Sequence, residues 1–425
     1  MNRQAWAEGL GPVAADLVRR DADAFFHQEG SSPCLSGLRG VEGIWLEDLD
    51  GRRYVDLHGN TVHHLGHAHP KLVAALIDQA RELPFSPRRF TNEPAVLLAE
   101  KLLSHWPGKK AKVLFATGGS DAIEIAMRLA LVATKRSEII SLEGSYHGHG
   151  FGAFGLSSAA IDPRLSLREP GRHHVTPYWD EARGGADRMV QDIERAFATS
   201  KGGIAAVIAE PIRSNCHVPP PGLWPAVRGI CDRHGTRLIF DEIPSGLGKT
   251  GRFFAFSHYQ VIPDAVVLGK ALGGGLLPIA AVIADADLNV APELNLGHYT
   301  HEKNPLTTRV ALTTIQVIEE EKLAERAARL GDYAAQVVAS LAERLPIIRG
   351  LRGKGLLAAI ELNDDRQRGR SASSLASDGL WACLAHGVST VTKPGGALGF
   401  SPPLIIDEHG IDLTMERVAE ALASF

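Results

Sequence analysis

Three stretches of the chain carry residue types that can do chemistry. Lys270 lies between the apolar run AVVLG and the glycines of ALGGG. A lysine at the end of a buried strand is desolvated, which lowers its pKa and makes its amine nucleophilic. Asp241 closes the run RLIFD, where a carboxylate is costly to bury without a cationic partner, unless it only caps the following turn. Thr117-Gly118-Gly119-Ser120 follows KVLFA and opens a helical pattern. The unpaired N–H groups and positive end of such a helix suit an anion such as phosphate, although a Gly-rich turn capped by Ser120 or Asp121 reads the same way.

A phosphate cup, a carboxylate facing a cation and a desolvated lysine are together the requirements of pyridoxal 5′-phosphate. Lysine would hold the aldehyde as a Schiff base, the acid would keep the ring nitrogen protonated so that the ring accepts electrons, and the helix end would hold the phosphate. Two other motifs point elsewhere and fail on context. GLGKTG (246–251) satisfies GxGxxG, but RFFAF follows where a dinucleotide fold needs a helix, and the upstream glycine of a P-loop is missing. His63, His64, His67 and His69 are closely spaced, yet no Cys or Glu accompanies them at ligand spacing, so no metal site is expected.

Short apolar runs at 112–116, 138–142, 204–209, 237–240, 265–268 and 279–284 read as buried strands, with amphipathic helices at 121–135 and 222–234 between them. The expected fold is α/β, with a mostly parallel central sheet in a large domain and a smaller α+β domain. Residues 43–57 read as a hairpin around Asp50-Gly51, 307–345 as helix broken near Gly331, and 351–362 as the first strand of the C-terminal domain. The expected divisions are 1–60, an N-terminal segment joining the small domain; 61–312, the large cofactor-binding domain; and 313–425, the C-terminal small domain. A length of 425 residues accommodates these units, and a net charge of −4 gives no basic field for nucleic acid or membrane surfaces. Four scattered cysteines imply neither a disulfide framework nor a zinc ribbon. Without an apolar run long enough to span a membrane, the chain reads as cytoplasmic with small-molecule partners.

From about Gly43 to the C-terminus the chain also resembles the class III aminotransferase family of fold-type I pyridoxal-phosphate enzymes. On that resemblance Gly118, Gly119 and Ser120 match the phosphate loop, and Tyr146-His147-Gly148 matches a motif whose tyrosine stacks on the cofactor ring. Glu210-Pro211 matches a glutamate near the cofactor, Asp241 the partner of the ring nitrogen, Ile243 the apolar residue on the other ring face, and Lys270 the Schiff-base lysine. YTHEKNP (299–305) takes the place of a loop whose threonine, here Thr300, reaches the phosphate of the neighbouring subunit, so the resemblance implies a homodimer with shared active sites. Two departures bear on substrate. Pro244 stands where many relatives have a glutamine near the ring oxygen, and Gly399 stands three residues before Pro402-Pro403, where relatives that use α-amino acids carry a carboxylate-binding arginine. An ω-amine with an anionic tail fits better, with His58, Asn60, Arg88 and Arg89 as candidates to meet the tail; an ion pair is the competing role for the two arginines. HGN (58–60), PRRFTN (87–92), DEIPSGLGKTG (241–251) and HYTHEKNP (298–305) look like the subgroup that contains ammonia-lyases for 1-hydroxy-2-aminoethylphosphonate. Transamination from an ω-amine or amino acid to a 2-oxo acid is the alternative, because one lysine serves both reactions.

Overall fold

The computed structural model describes residues 3–28, 34–158, 171–423 and 425. Packing divides the chain into two compact units, Pro70–Glu325 and Met1–His69 with Arg326–Phe425. The helix Pro305–Glu320 packs on Pro70–Glu82 and Glu93–Ser104, which keeps 313–320 with the first of these. Residues 61–69 stay with the other through backbone bonds such as that from the Leu404 N–H to the His64 carbonyl, 2.8 Å.

Pro70–Glu325 is an α/β unit around one seven-stranded sheet, in the order Ala111–Ala116, Ala280–Asp285, Ala265–Leu268, Arg237–Asp241, Ile204–Ala209, Glu138–Leu142 and Arg172–Val175. The last five strands run parallel, whereas Ala280–Asp285 pairs antiparallel with both neighbours. Ile204–Ala209 and Ala265–Leu268 are buried at every position, the mark of central strands covered on both faces. The helix Gly119–Thr134 lays Ile123, Ala126, Met127 and Ala130 on the sheet; its alanines, leucines and methionine suit helix, and the spacing of the four forms one apolar stripe. Parallel strands end at the same edge of a sheet, so Ala209, Asp241 and Leu268 deliver Glu210, Glu242 and Gly269 to one edge, where ligands of such folds bind.

The other unit has two small sheets. Trp45–Asp48 and Arg53–Asp56 form the hairpin expected at Asp50-Gly51. Residues 351–362 are not one strand: Ile348–Lys354 and Leu357–Leu362 form an antiparallel pair that turns at Gly355. Nor does the helical stretch break at Gly331. It breaks at Lys322, whose φ is +51°, and the helix Leu323–Arg344 runs through Gly331. A Cβ at Gly331 would come 2.5 Å from the Gly355 carbonyl oxygen, so the glycine admits the hairpin turn rather than ending the helix. Asp56 organises the start of this unit. It accepts hydrogen bonds from the His58 and Gly59 N–H groups (3.0 and 2.9 Å) and meets the His67 Nε2 at 2.9 Å. Burial works against its charge, but these bonds and nearby His63 prevail and bring its pKa down to about 2.

Candidate active site

The edge where the parallel strands end carries a solvent-open cavity of about 220 Å³, lined by Gly119, Ser120, Tyr146, His147, Gly148, Glu210, Ser214, Asp241, Ile243, Pro244 and Lys270. Its floor at one side is the start of the helix Gly119–Thr134. Gly118 occupies the N-cap position in an extended conformation and no side chain caps the helix, so its first N–H groups are left for another acceptor. Thr117 Oγ1 donates to Asp121 at 2.6 Å instead. The turn is tightly fitted: a Cβ on Gly119 would fall 2.8 Å from Ile243 Cδ1, and one on Gly148, at φ +123°, 2.9 Å from Ser120 Cα. The His149 N–H closes the cradle by donating to Ser120 Oγ at 3.0 Å.

Asp241 is 2 % exposed and its two oxygens face different partners. Oδ1 accepts the Ile243 N–H at 3.1 Å, and Oδ2 lies 2.8 Å from His147 Nδ1. The imidazole is the cationic or donor partner that a buried carboxylate requires. His147 Nε2 is buried with no hydrogen-bond partner among the described residues. Glu242, next in the chain, is fully enclosed and caps the turn Ala255–His258, accepting the Ala255 and Phe256 N–H groups at 2.7 Å each. Burial, opposed by those N–H groups and helped by the charge of Asp241, pushes its pKa up to about 8. GLGKTG therefore leads into buried Phe254 and Phe256 rather than into a dinucleotide-binding helix.

Lys270 opens a single 3₁₀ turn, Lys270–Gly273, immediately after the strand Ala265–Leu268, with φ at +45°. A left-handed lysine costs on the order of 1 kcal/mol and persists only where its surroundings impose it, a frequent property of functional positions. It is half-buried on the open cavity rather than enclosed. Tyr146 is 48 % exposed, and its hydroxyl meets His149 Nδ1 at 2.7 Å. Partial burial and the charge of Asp241 raise its pKa.

Glu210 forms a buried ion pair with Arg213, and its Oε1 accepts the Ser214 N–H at 3.1 Å. Arg213 also donates to the Gly144 carbonyl and lies over the Trp179 ring, 5.1 Å from its centroid. Sequence reasoning missed Arg213, Ser214 and His149; the spacing of three in Glu210-x-x-Arg213 and in Tyr146-x-x-His149 was the available signal. Thr300 lies exposed in the 299–303 turn and does not line the cavity. Arg88 pairs with Glu302 at 2.8 Å and Arg89 is exposed; neither lines the cavity. His58 precedes the 3₁₀ turn Gly59–Thr61 of the other unit, where Asn60 is exposed with φ +46°. Gly399 sits in the buried strand Ala397–Phe400.

These residues fit pyridoxal 5′-phosphate on their own chemistry: an uncapped helix start for an anion, a buried carboxylate for a protonated ring nitrogen, and a lysine on the same cavity. The Aminotransferase class-III family model matches residues 27–422. The (R)-1-hydroxy-2-aminoethylphosphonate ammonia-lyase of Vibrio splendidus is 37 % identical, over 99 % of this chain and 93 % of its own. A leucine/methionine racemase of Thermococcus litoralis is 35 % identical over 89 % and 88 %. A transaminase from the marine bacterium Virgibacillus superposes with a TM-score of 0.87 at 27 % identity, over 96 % of this chain and 98 % of that one. The protein belongs to the class III aminotransferases, enzymes of fold-type I that act on small-molecule amines with pyridoxal 5′-phosphate as cofactor.

Proposed function

We propose that the protein is an ammonia-lyase acting on 1-hydroxy-2-aminoethylphosphonate or a close analogue, an ω-amine with an anionic tail, and that it serves phosphonate breakdown in the cytoplasm as a homodimer. The observation that carries this reading is the full-length similarity to the Vibrio enzyme, a relationship covering nearly every residue of both chains. Gly399 supports it, since a glycine offers no guanidinium to an α-carboxylate.

Bound in the cavity, pyridoxal phosphate supplies an aldehyde that condenses with amines and a protonated ring that accepts electrons from the carbon next to nitrogen. Gly118, Gly119 and Ser120 would hold its phosphate with backbone N–H groups and the positive helix end. Asp241, fixed by His147 and the Ile243 N–H, keeps its carboxylate in place for the ring nitrogen. Tyr146 and Ile243, both on the cavity, would hold the ring by its faces. Lys270, on the same cavity, would hold the aldehyde through Nζ and would take the proton from the amine-bearing carbon. Glu210 is paired with Arg213, which balances its charge at the cavity wall.

Incubation with the hydroxylated aminophosphonate and no 2-oxo acid tests the reading. Acceptor-independent ammonia is the expected result; ammonia-free turnover that needs a 2-oxo acid would make the protein an aminotransferase, and the racemase relative makes inversion of an α-amino acid a third arm of the same assay.

A further inference from the structure

Tyr146 and His149 form a pair whose geometry exceeds what holding a cofactor ring requires. The Tyr146 hydroxyl lies 2.7 Å from His149 Nδ1, and the rings meet edge to face with centroids 5.4 Å apart. His149 is fixed at its own backbone by Ser120 Oγ and lies against Phe154, 5.8 Å between centroids. Tyr146 lines the cavity that Lys270 lines, while His149 is exposed and does not line it. We propose that His149 supplies, through the Tyr146 hydroxyl, the proton that the substrate's hydroxyl needs as it leaves, so that the pair favours elimination over transamination. The inference rests on the lyase reading above.

Hydroxide is a poor leaving group, and a donor within hydrogen-bond reach is the usual remedy. A phenol alone would be left as phenolate, a form that partial burial and then the charge of Asp241 disfavour. A protonated imidazole behind it removes the difficulty, since its Nδ1 hands the phenol oxygen a proton as the phenol gives one up. When Lys270 takes the proton from the amine-bearing carbon, the released electron pair forms a carbon–carbon double bond and the C–O bond breaks with its pair on oxygen. That oxygen takes the phenolic proton, the phenol oxygen takes the Nδ1 proton, and water, neutral Tyr146 and neutral imidazole result. Solvent then restores the His149 proton. Lys270 then returns its proton to the carbon that bore the hydroxyl, and hydrolysis of the resulting imine consumes one water and releases aldehyde and ammonia, so the overall conversion needs no oxidant or reductant. Tyr146 is the residue that meets the leaving group, and His149 acts through it.

The test compares His149→Ala and His149→Gln on 1-hydroxy-2-aminoethylphosphonate and on its 1-chloro counterpart, whose leaving chloride needs no proton. Both variants should lose on the order of 10²-fold in ammonia release from the hydroxy compound and far less from the chloro compound. In Tyr146→Phe, the nitrogen NMR signal of His149 Nδ1 should shift as its partner disappears. Recovery in His149→Gln, which keeps a hydrogen bond but has no proton acidic enough to give up, would reduce His149 to a prop and overturn the proposal. Equal losses with both leaving groups, or an unmoved Nδ1 signal, would do the same. Wild-type enzyme that releases ammonia from neither compound would instead remove the lyase reading, and the relay with it.

Discussion

At the scale of single residues, Lys270 and Asp241 make opposite demands on an experiment. Lys270 contributes little to packing, being half-buried on the open cavity. Its replacement by alanine should leave the melting temperature close to wild type and lower turnover by at least about 10²–10⁴, the worth of proton transfer alone. Borohydride reduction should fix cofactor at this residue in the wild type and not in the variant; label retained elsewhere would assign the nucleophile to another lysine. Asp241 is fully enclosed, but asparagine matches its volume and can still accept from either His147 or the Ile243 N–H. Asp241→Asn should therefore fold and should depress kcat by about 10²-fold or more, because an amide no longer favours a protonated ring nitrogen. A lower melting temperature with unchanged kcat would leave Asp241 a structural cap of its turn. Burial next to His147 was not legible in the sequence, since the two residues lie 94 positions apart. The carboxylate at a strand end was legible, and so was its need for a partner.

Elements show why some of the structure could be read in advance and some could not. Ile204–Ala209 and Ala265–Leu268 are where their β-branched and apolar runs place them, because central strands bury both faces and leave no room for polar residues. Arg172–Val175 escaped notice: it is an edge strand of sequence RHHV, paired on one side only, and nothing in its periodicity marks it. The antiparallel direction of Ala280–Asp285 is likewise a property of connections, which composition does not encode. Gly331 misled because glycine weakens helices in general, whereas here contact with the hairpin turn decides. The 148 position offers the corresponding test in the site. Gly148→Ala would place a methyl against Ser120 in a left-handed backbone, a strain of about 1–3 kcal/mol, and equilibrium dialysis should record cofactor affinity weakened by about tenfold or more. Unchanged affinity would separate the Tyr-His-Gly turn from the phosphate loop. In the other unit, Asp56 carries a pH signature. Its pKa is depressed to about 2 from an ordinary 3.8, so its stabilising contribution is complete above the unfolded value and disappears as pH falls through the folded one. Asp56→Asn should cost about 2 kcal/mol near neutral pH, and the gap to wild type in urea unfolding should narrow as pH drops toward about 3. A gap constant with pH would mean that hydrogen bonding alone, without charge, is lost.

For the whole molecule, the surface formed by the 85–90 segment and the Thr300 turn bears on assembly. The 85–90 segment packs on the turn that carries Thr300, through Phe85 against His301 with centroids 5.5 Å apart and through the Arg88–Glu302 ion pair. Yet Phe90 is 68 % exposed and Phe85 41 %. Two phenylalanines left in water beside an ordered ion pair form a surface that a second copy of the chain would bury favourably. Thr300, exposed on the same turn, would then be presented to the partner's phosphate loop rather than to its own. The prediction is a dimer in sedimentation equilibrium and, more stringently, complementation between defective subunits. A heterodimer of Lys270→Ala with Thr300→Ala contains one site in which both Lys270 and the partner's threonine are intact, and one in which both are lost. Such heterodimers should retain cofactor tightly at one site and release ammonia, where the Lys270→Ala homodimer is inactive and the Thr300→Ala homodimer loses cofactor on dialysis. A heterodimer no better than the Thr300→Ala homodimer would place that threonine outside the phosphate's reach, and a monomer at assay concentration would leave each cavity complete within one chain.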